Sequence, residues 1–298
     1  MMGCHQENII SFCFREFFIS GWKAFLQRVS GVLAVLFVIS MSSCSEIFPR
    51  VEKDDEWVVH EYANIMLYSR PEQHSQTVSP QEHEIFTILE NQHFYYETIQ
   101  DSLGVNFQEK VMIYLYNLDE AIKAIGTHEG GHSVADRSSV YFAFRRPAYY
   151  DNFGRKAFIG PLYMTEVITQ QYFGKPFTKM MSVGYAVAFT GTLGRDETFD
   201  GDVIGHRILF LMEELYRNGQ LMTPHELLND TDRSREVYYP NAGFFILYLW
   251  RHFGITNTNR LFNLSKEDFE KGFLQVTGNS LNAVTDHYLL YCQNQLDN

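Results

Sequence analysis

The sequence predicts an α+β domain, with a small strand-rich lobe at residues 61–160 followed by a mainly helical lobe at residues 161–298. Two patterns and one bulk property carry this. Alternating apolar runs occur only before residue 145, whereas helical periodicity interrupted by glycines fills the second half. The content, 45% hydrophobic and 20% charged over 298 residues, is that of a globular protein with a proper core. The 25 Phe and 18 Tyr suit thick cores or a stacking surface for sugars or peptides, and core is their commoner use.

Residues 1–43 read as a signal peptide. Lys23 and Arg28 precede the apolar run Val32 to Ile39, too short for a permanent span, and small residues lead into Cys44. That S-M-S-S-C stretch resembles the lipobox of bacterial lipoproteins, with Met41 where Leu is preferred. The resemblance implies lipidation of Cys44, export to the cell envelope and anchorage, most simply in the outer membrane. Residues 1–22 exceed what a signal needs, as a start assigned too far upstream would explain. Residues 44–60, polar and acidic, read as the lipidated tether. Cleavage before Cys44 would remove Cys4 and Cys13, leaving no pair for an intramolecular disulfide. A net charge of −12 makes nucleic acid a poor partner.

In the first lobe, residues 63–70 have the composition of a strand. Ser79, Pro80 and Glu82 announce a helix whose apolar residues Ile85, Ile88, Leu89, Tyr95, Ile99 and Leu103 keep helical spacing until Gly104. Residues 110–116 and 140–144 read as strands, with a short helix from Asn117 to Gly126 between them. The second lobe divides into helices at 161–173, 177–190, 201–218, 223–229, 239–253, 266–276 and 281–294. Thr223 and Glu226 make a capping box.

The stretch G-T-H-E-G-G-H-S (126–133) holds His128, Glu129 and His132 in the H-E-x-x-H spacing of zinc peptidases. That chemistry needs a helix, so that both imidazoles reach one metal while the glutamate activates its water. Two glycines inside the motif and no core-facing stripe predict a polar loop instead.

Three later segments carry a different signal. P-L-Y-M-T-E-V-I-T-Q-Q-Y-F-G (161–174), S-V-G-Y-A-V-A-F (182–189) and Y-Y-P-N-A-G-F-F-I-L-Y-L-W-R-H-F-G (238–254) resemble, in order, three helices of the gluzincin, or thermolysin-like, zinc metallopeptidases. F-L-Q-V-T-G-N-S-L (273–281) is similar to the family's terminal helices. The resemblance covers residues 60–295 and implies a gluzincin-like fold, but not its metal. The histidine positions hold Thr165 and Thr169, or Glu166 and Gln170 in the neighbouring frame, and Val183 stands at the third-ligand position. Glu166 alone matches the family's general base, and without a metal there is no activated water for it to deprotonate.

Arg145, Arg146, Tyr149 and Tyr150, just before the first of these helices, could stack on and hydrogen-bond a peptide or glycan in the groove the resemblance implies, with Tyr239 beside it. Asp230, Asp232 and Ser234 lack the glycine and the closing glutamate of a calcium loop. His206, Glu213 and His225 read as lone polar residues, and Cys292 as packing.

Together these imply a lipid-anchored envelope protein with a metallopeptidase-like fold, no cofactor, and a non-catalytic role in binding peptide or glycan. Two alternatives stay open: an active zinc metallopeptidase using His128, Glu129 and His132, and a structural scaffold of an envelope complex.

Overall fold

A computed structural model describes residues 50–53, 57–70, 80–116, 131–144, 149–151, 153–190 and 208–296, all within one compact unit, Pro49–Asn298. The signal segment, Cys44, the 117–126 helix, His128, Glu129, Arg145 and Arg146 lie outside the described residues.

Six strands form one mixed sheet: β1 (Arg50–Lys53), β2 (Val58–Tyr62), β3 (Ile65–Ser69), β4 (Val111–Tyr116), β5 (Gly131–Val134) and β6 (Ser139–Ala143). Their order is β1-β2-β3-β4-β6-β5. The β3–β4 and β4–β6 pairs are parallel, and the other three are antiparallel. Two expectations need correction here. Residues 50–53 and 58–60, read as tether, pair into the sheet as part of β1 and β2, so the folded domain begins about ten residues earlier than position 61. Residues 131–133, read as loop, belong to the edge strand β5.

The parallel β3–β4 step is spanned by helix α1 (Glu82–Leu103), as a parallel connection requires. It is capped at Gln81, whose backbone N–H donates to Glu84 at 2.6 Å, rather than by the expected Ser79–Glu82 pair. Gly104 ends it in the left-handed conformation (φ 64°). The buried residues Ile85, Ile88, Leu89, Tyr95, Tyr96, Ile99 and Leu103 face the inner side of the sheet, where Ile65, Leu67, Val111, Ile113, Leu115, Val140 and Phe142 are also buried.

The opposite face of the sheet carries an aromatic row. Tyr68, Tyr114 and Tyr141 stack across three strands, with centroids 4.4 and 4.9 Å apart, and His132 extends the stack onto β5 at 4.8 Å. Trp57 meets the row edge-on, and the Arg70 guanidinium lies 3.9 Å over its ring. Burial, and then the neighbouring phenols, push Tyr114 up to about 12.

A hairpin of β7 (Tyr149–Tyr150) and β8 (Lys156–Ala157) leads into the helical half. It is fastened to α1: Asn91 donates to the Lys156 carbonyl at 2.7 Å, Gln92 to that of Ile159 at 3.0 Å, and the Tyr95 hydroxyl to Asp151.

The helices are α2 (Leu162–Phe173), α3 (Lys179–Thr190), α4 (Ile208–Arg217), α5 (Pro224–Asn229), α6 (Arg235–Phe253), α7 (Ile255–Asn259), α8 (Lys266–Thr277) and α9 (Leu281–Leu296). Helix α6 begins four residues before the expected start, with Pro240 inside its second turn, and α7 follows Gly254 where no helix is expected. The α3–α6 crossing is close because it uses glycine on both sides. A Cβ at Gly184 would lie 2.6 Å from Ile246, and one at Gly243 the same distance from Val187.

Candidate functional site

Helix α2 lies beside the edge strand β5, and two side-chain bonds set their register. Ser133 Oγ donates to Glu166 Oε2 at 2.6 Å, and the Gln171 amide donates to the Ala135 carbonyl. Period-two alternation explains why Ser133 reaches the helix while His132 does not. Ser133 pairs with Val140 on the inner face, and His132 pairs with Tyr141 on the aromatic face.

The second glycine of the H-E-G-G-H stretch has a steric reason. A Cβ at Gly131 would fall 2.5 Å from the Tyr141 carbonyl oxygen, 2.9 Å from the Phe142 ring and 3.0 Å from Tyr163 of α2. Bare backbone at this point lets β5 settle onto both β6 and α2. The motif therefore fails as a zinc helix because its last two residues belong to an extended strand. His132 turns away from Glu166, with its Nδ1 buried and without a hydrogen-bond partner among the described residues, and burial holds its pKa below the ordinary range.

Glu166 lies on α2 beside β5. Burial of its carboxyl raises the pKa above the usual carboxylate range, opposed by the Ser133 hydrogen bond and the Arg235 charge. Some of its side chain stays open to solvent. Arg235, in the first turn of α6, lies 4.8 Å over the Tyr239 ring, and its charge acts on Glu166.

Thr165 and Thr169 flank Glu166 on α2, but both are buried with their hydroxyls turned back on their own helix. Thr165 Oγ1 donates to the Pro161 carbonyl and Thr169 Oγ1 to that of Thr165, at 2.8 and 2.7 Å. Val183 is buried as well, and Gln170 is half-buried. Among the described residues, no three His, Cys, Asp or Glu side chains are grouped to hold a metal ion.

Ser133, bonded to Glu166, and Arg235, whose charge acts on it, are residues that the sequence reading passes over. Tyr150 is exposed on the hairpin fastened to α1, and Tyr149 belongs to the same hairpin. No protein-family model matches the chain, and no curated protein matches it in sequence.

The arrangement offers hydrogen-bond chemistry: a carboxyl disposed to hold its proton, a hydroxyl bonded to it, and a guanidinium beside them. It also offers main chain. Strand β5 is the terminal strand of its sheet, with no strand paired to its outer side among the described residues. Such an edge is a template for a further strand.

Proposed function

We propose that this protein is a lipid-anchored envelope protein with a gluzincin-like fold and no zinc centre, which binds an extended peptide by adding it as a strand along β5. The observation that carries the reading is the terminal strand β5 bonded through Ser133 to Glu166, on a helix whose neighbouring positions hold Thr165 and Thr169 in place of ligands. Threonine hydroxyls committed to helix carbonyls and an aliphatic Val183 are unsuitable zinc ligands. Strand addition supplies main-chain hydrogen bonds, and alternate side chains of the guest would face the Glu166–Arg235 group. Peptide is favoured over glycan because the tyrosines of the aromatic row cover one another's faces, leaving edges rather than a flat stacking platform. Anchorage rests on the basic, apolar and small-residue sequence that ends at Cys44. Among the described residues, no helix is long and apolar enough to cross a membrane.

The test is selection of linear peptides from a displayed library on the purified protein, followed by titration of the selected peptide against Ser133→Pro. Proline removes a strand donor and should abolish binding, whereas Tyr150→Ala on the β7–β8 hairpin should leave it unchanged. Undiminished binding to Ser133→Pro would overturn strand addition. Stoichiometric zinc in the purified protein, lost on replacing Thr165, Thr169 or Val183, would overturn the absence of a metal centre.

A further inference from the structure

Helices α6 and α9 bring two imidazoles together at the surface. His252 and His287 have ring centroids 5.1 Å apart with planes at 86°, and both residues are exposed. Each has a tyrosine one helical turn away: Tyr248 precedes His252 on α6, and Tyr291 follows His287 on α9. The rings interleave, with His252 centred 4.4 Å from Tyr248 and 5.3 Å from Tyr291. The buried Tyr248 hydroxyl is hydrogen-bonded to His287 Nδ1 at 2.7 Å, which fixes that ring and leaves Nε2 for an outside partner.

We propose that His252 and His287 form a two-imidazole site for a borderline-soft divalent ion, Cu2+ most tightly and Zn2+ more weakly, with water in the remaining coordination positions. Two ligand nitrogens, each about 2 Å from a shared metal, place their ring centroids within roughly 6 Å of each other, and 5.1 Å satisfies this. Metal binding needs neutral imidazole. Imidazole is mostly in that form at pH 7 and above. Mg2+ and Ca2+ need oxygen ligands and find none in this pair. No third protein ligand joins the group among the described residues, so the bound ion is exchangeable rather than structural. The site is independent of the strand-addition reading and makes no use of Glu166.

The experiment is calorimetric titration of the full chain with Cu2+ and then Zn2+, comparing wild type with His252→Ala and His287→Ala. Both histidines are exposed, so both variants should fold. One site should weaken by roughly tenfold or more in each variant, and the double variant should lose little beyond either single one. Because the chain has 11 histidines, a second readout locates the ion: substoichiometric Cu2+ should broaden the ring resonances of His252 and His287 before those of any other histidine. Equal Cu2+ affinity and stoichiometry in wild type and both variants would overturn the proposal, as would broadening that falls first on other histidines.

Discussion

Ser133 and Glu166 are 33 residues apart, on the edge strand and on α2, and the 2.6 Å bond between them joins the two halves of the domain where a guest strand would lie. Its acceptor carboxyl has a pKa raised by burial, which sets the sign of a pH effect. The folded chain holds that proton more tightly than the unfolded chain. Stability from this group is therefore fully present below the unfolded value near 4.5 and is lost as pH rises through the folded value. Glu166→Gln keeps an oxygen for Ser133 and has no proton to lose. It should be the more stable protein at pH 7, with the advantage closing as pH falls below the usual carboxylate range. Urea denaturation across a pH series checks this, and an advantage that does not vary with pH would refute it.

Gly131 is where β5, β6 and Tyr163 of α2 meet, and a side chain there has no free volume. Gly131→Ala should cost about 1–3 kcal/mol in chemical denaturation. Hydrogen exchange in β5 should rise more than in the α3–α6 crossing.

Thr169 is buried, yet its hydroxyl bonds only to helix carbonyls. Thr169→Val should therefore change stability by less than about 1 kcal/mol and leave peptide affinity intact. A loss of several kcal/mol would show that the hydroxyl serves something outside its own helix.

Ala63, in the turn between β2 and β3, has φ 49°, a conformation costly for any residue with a Cβ. Ala63→Gly should stabilise the protein by about 1 kcal/mol, measured as a shift of the denaturation midpoint at constant slope. A lower midpoint would mean that the methyl group contributes packing the strain does not outweigh.

Much of the fold was legible because long periodic segments declare themselves. Helix α1 and strands β3, β4 and β6 fall within a few residues of their expected bounds, and the Thr223–Glu226 box caps α5 as read. What escaped was short or at an edge. β5 has only four residues, two of them Gly and Ser, so no apolar alternation marks it. The turn A-D-R-S between two S-V pairs was the available hairpin signal, and Ser138 at φ 47° is its hinge. β1 and β2 carry acidic and basic residues because β1 is the opposite edge, and an edge strand looks like a tether in composition. The candidate site was half legible. Glu166 announced itself on α2, but Ser133 and Arg235 become partners only through tertiary contact, and neither has a local pattern to reveal it.

The aromatic row has a practical consequence. Of the three tryptophans, Trp57 sits among Tyr68, Tyr114 and Tyr116 on the sheet, and Trp250 sits against Tyr185 and Phe189 in the helices. Light absorbed by the stacked phenols will pass by resonance transfer to the nearest indole, so each half of the domain has its own emitter. With Trp22 and Trp250 replaced by phenylalanine, the remaining fluorescence reports the sheet alone. Whether sheet and helices melt in one step or two then becomes a question a fluorimeter can answer.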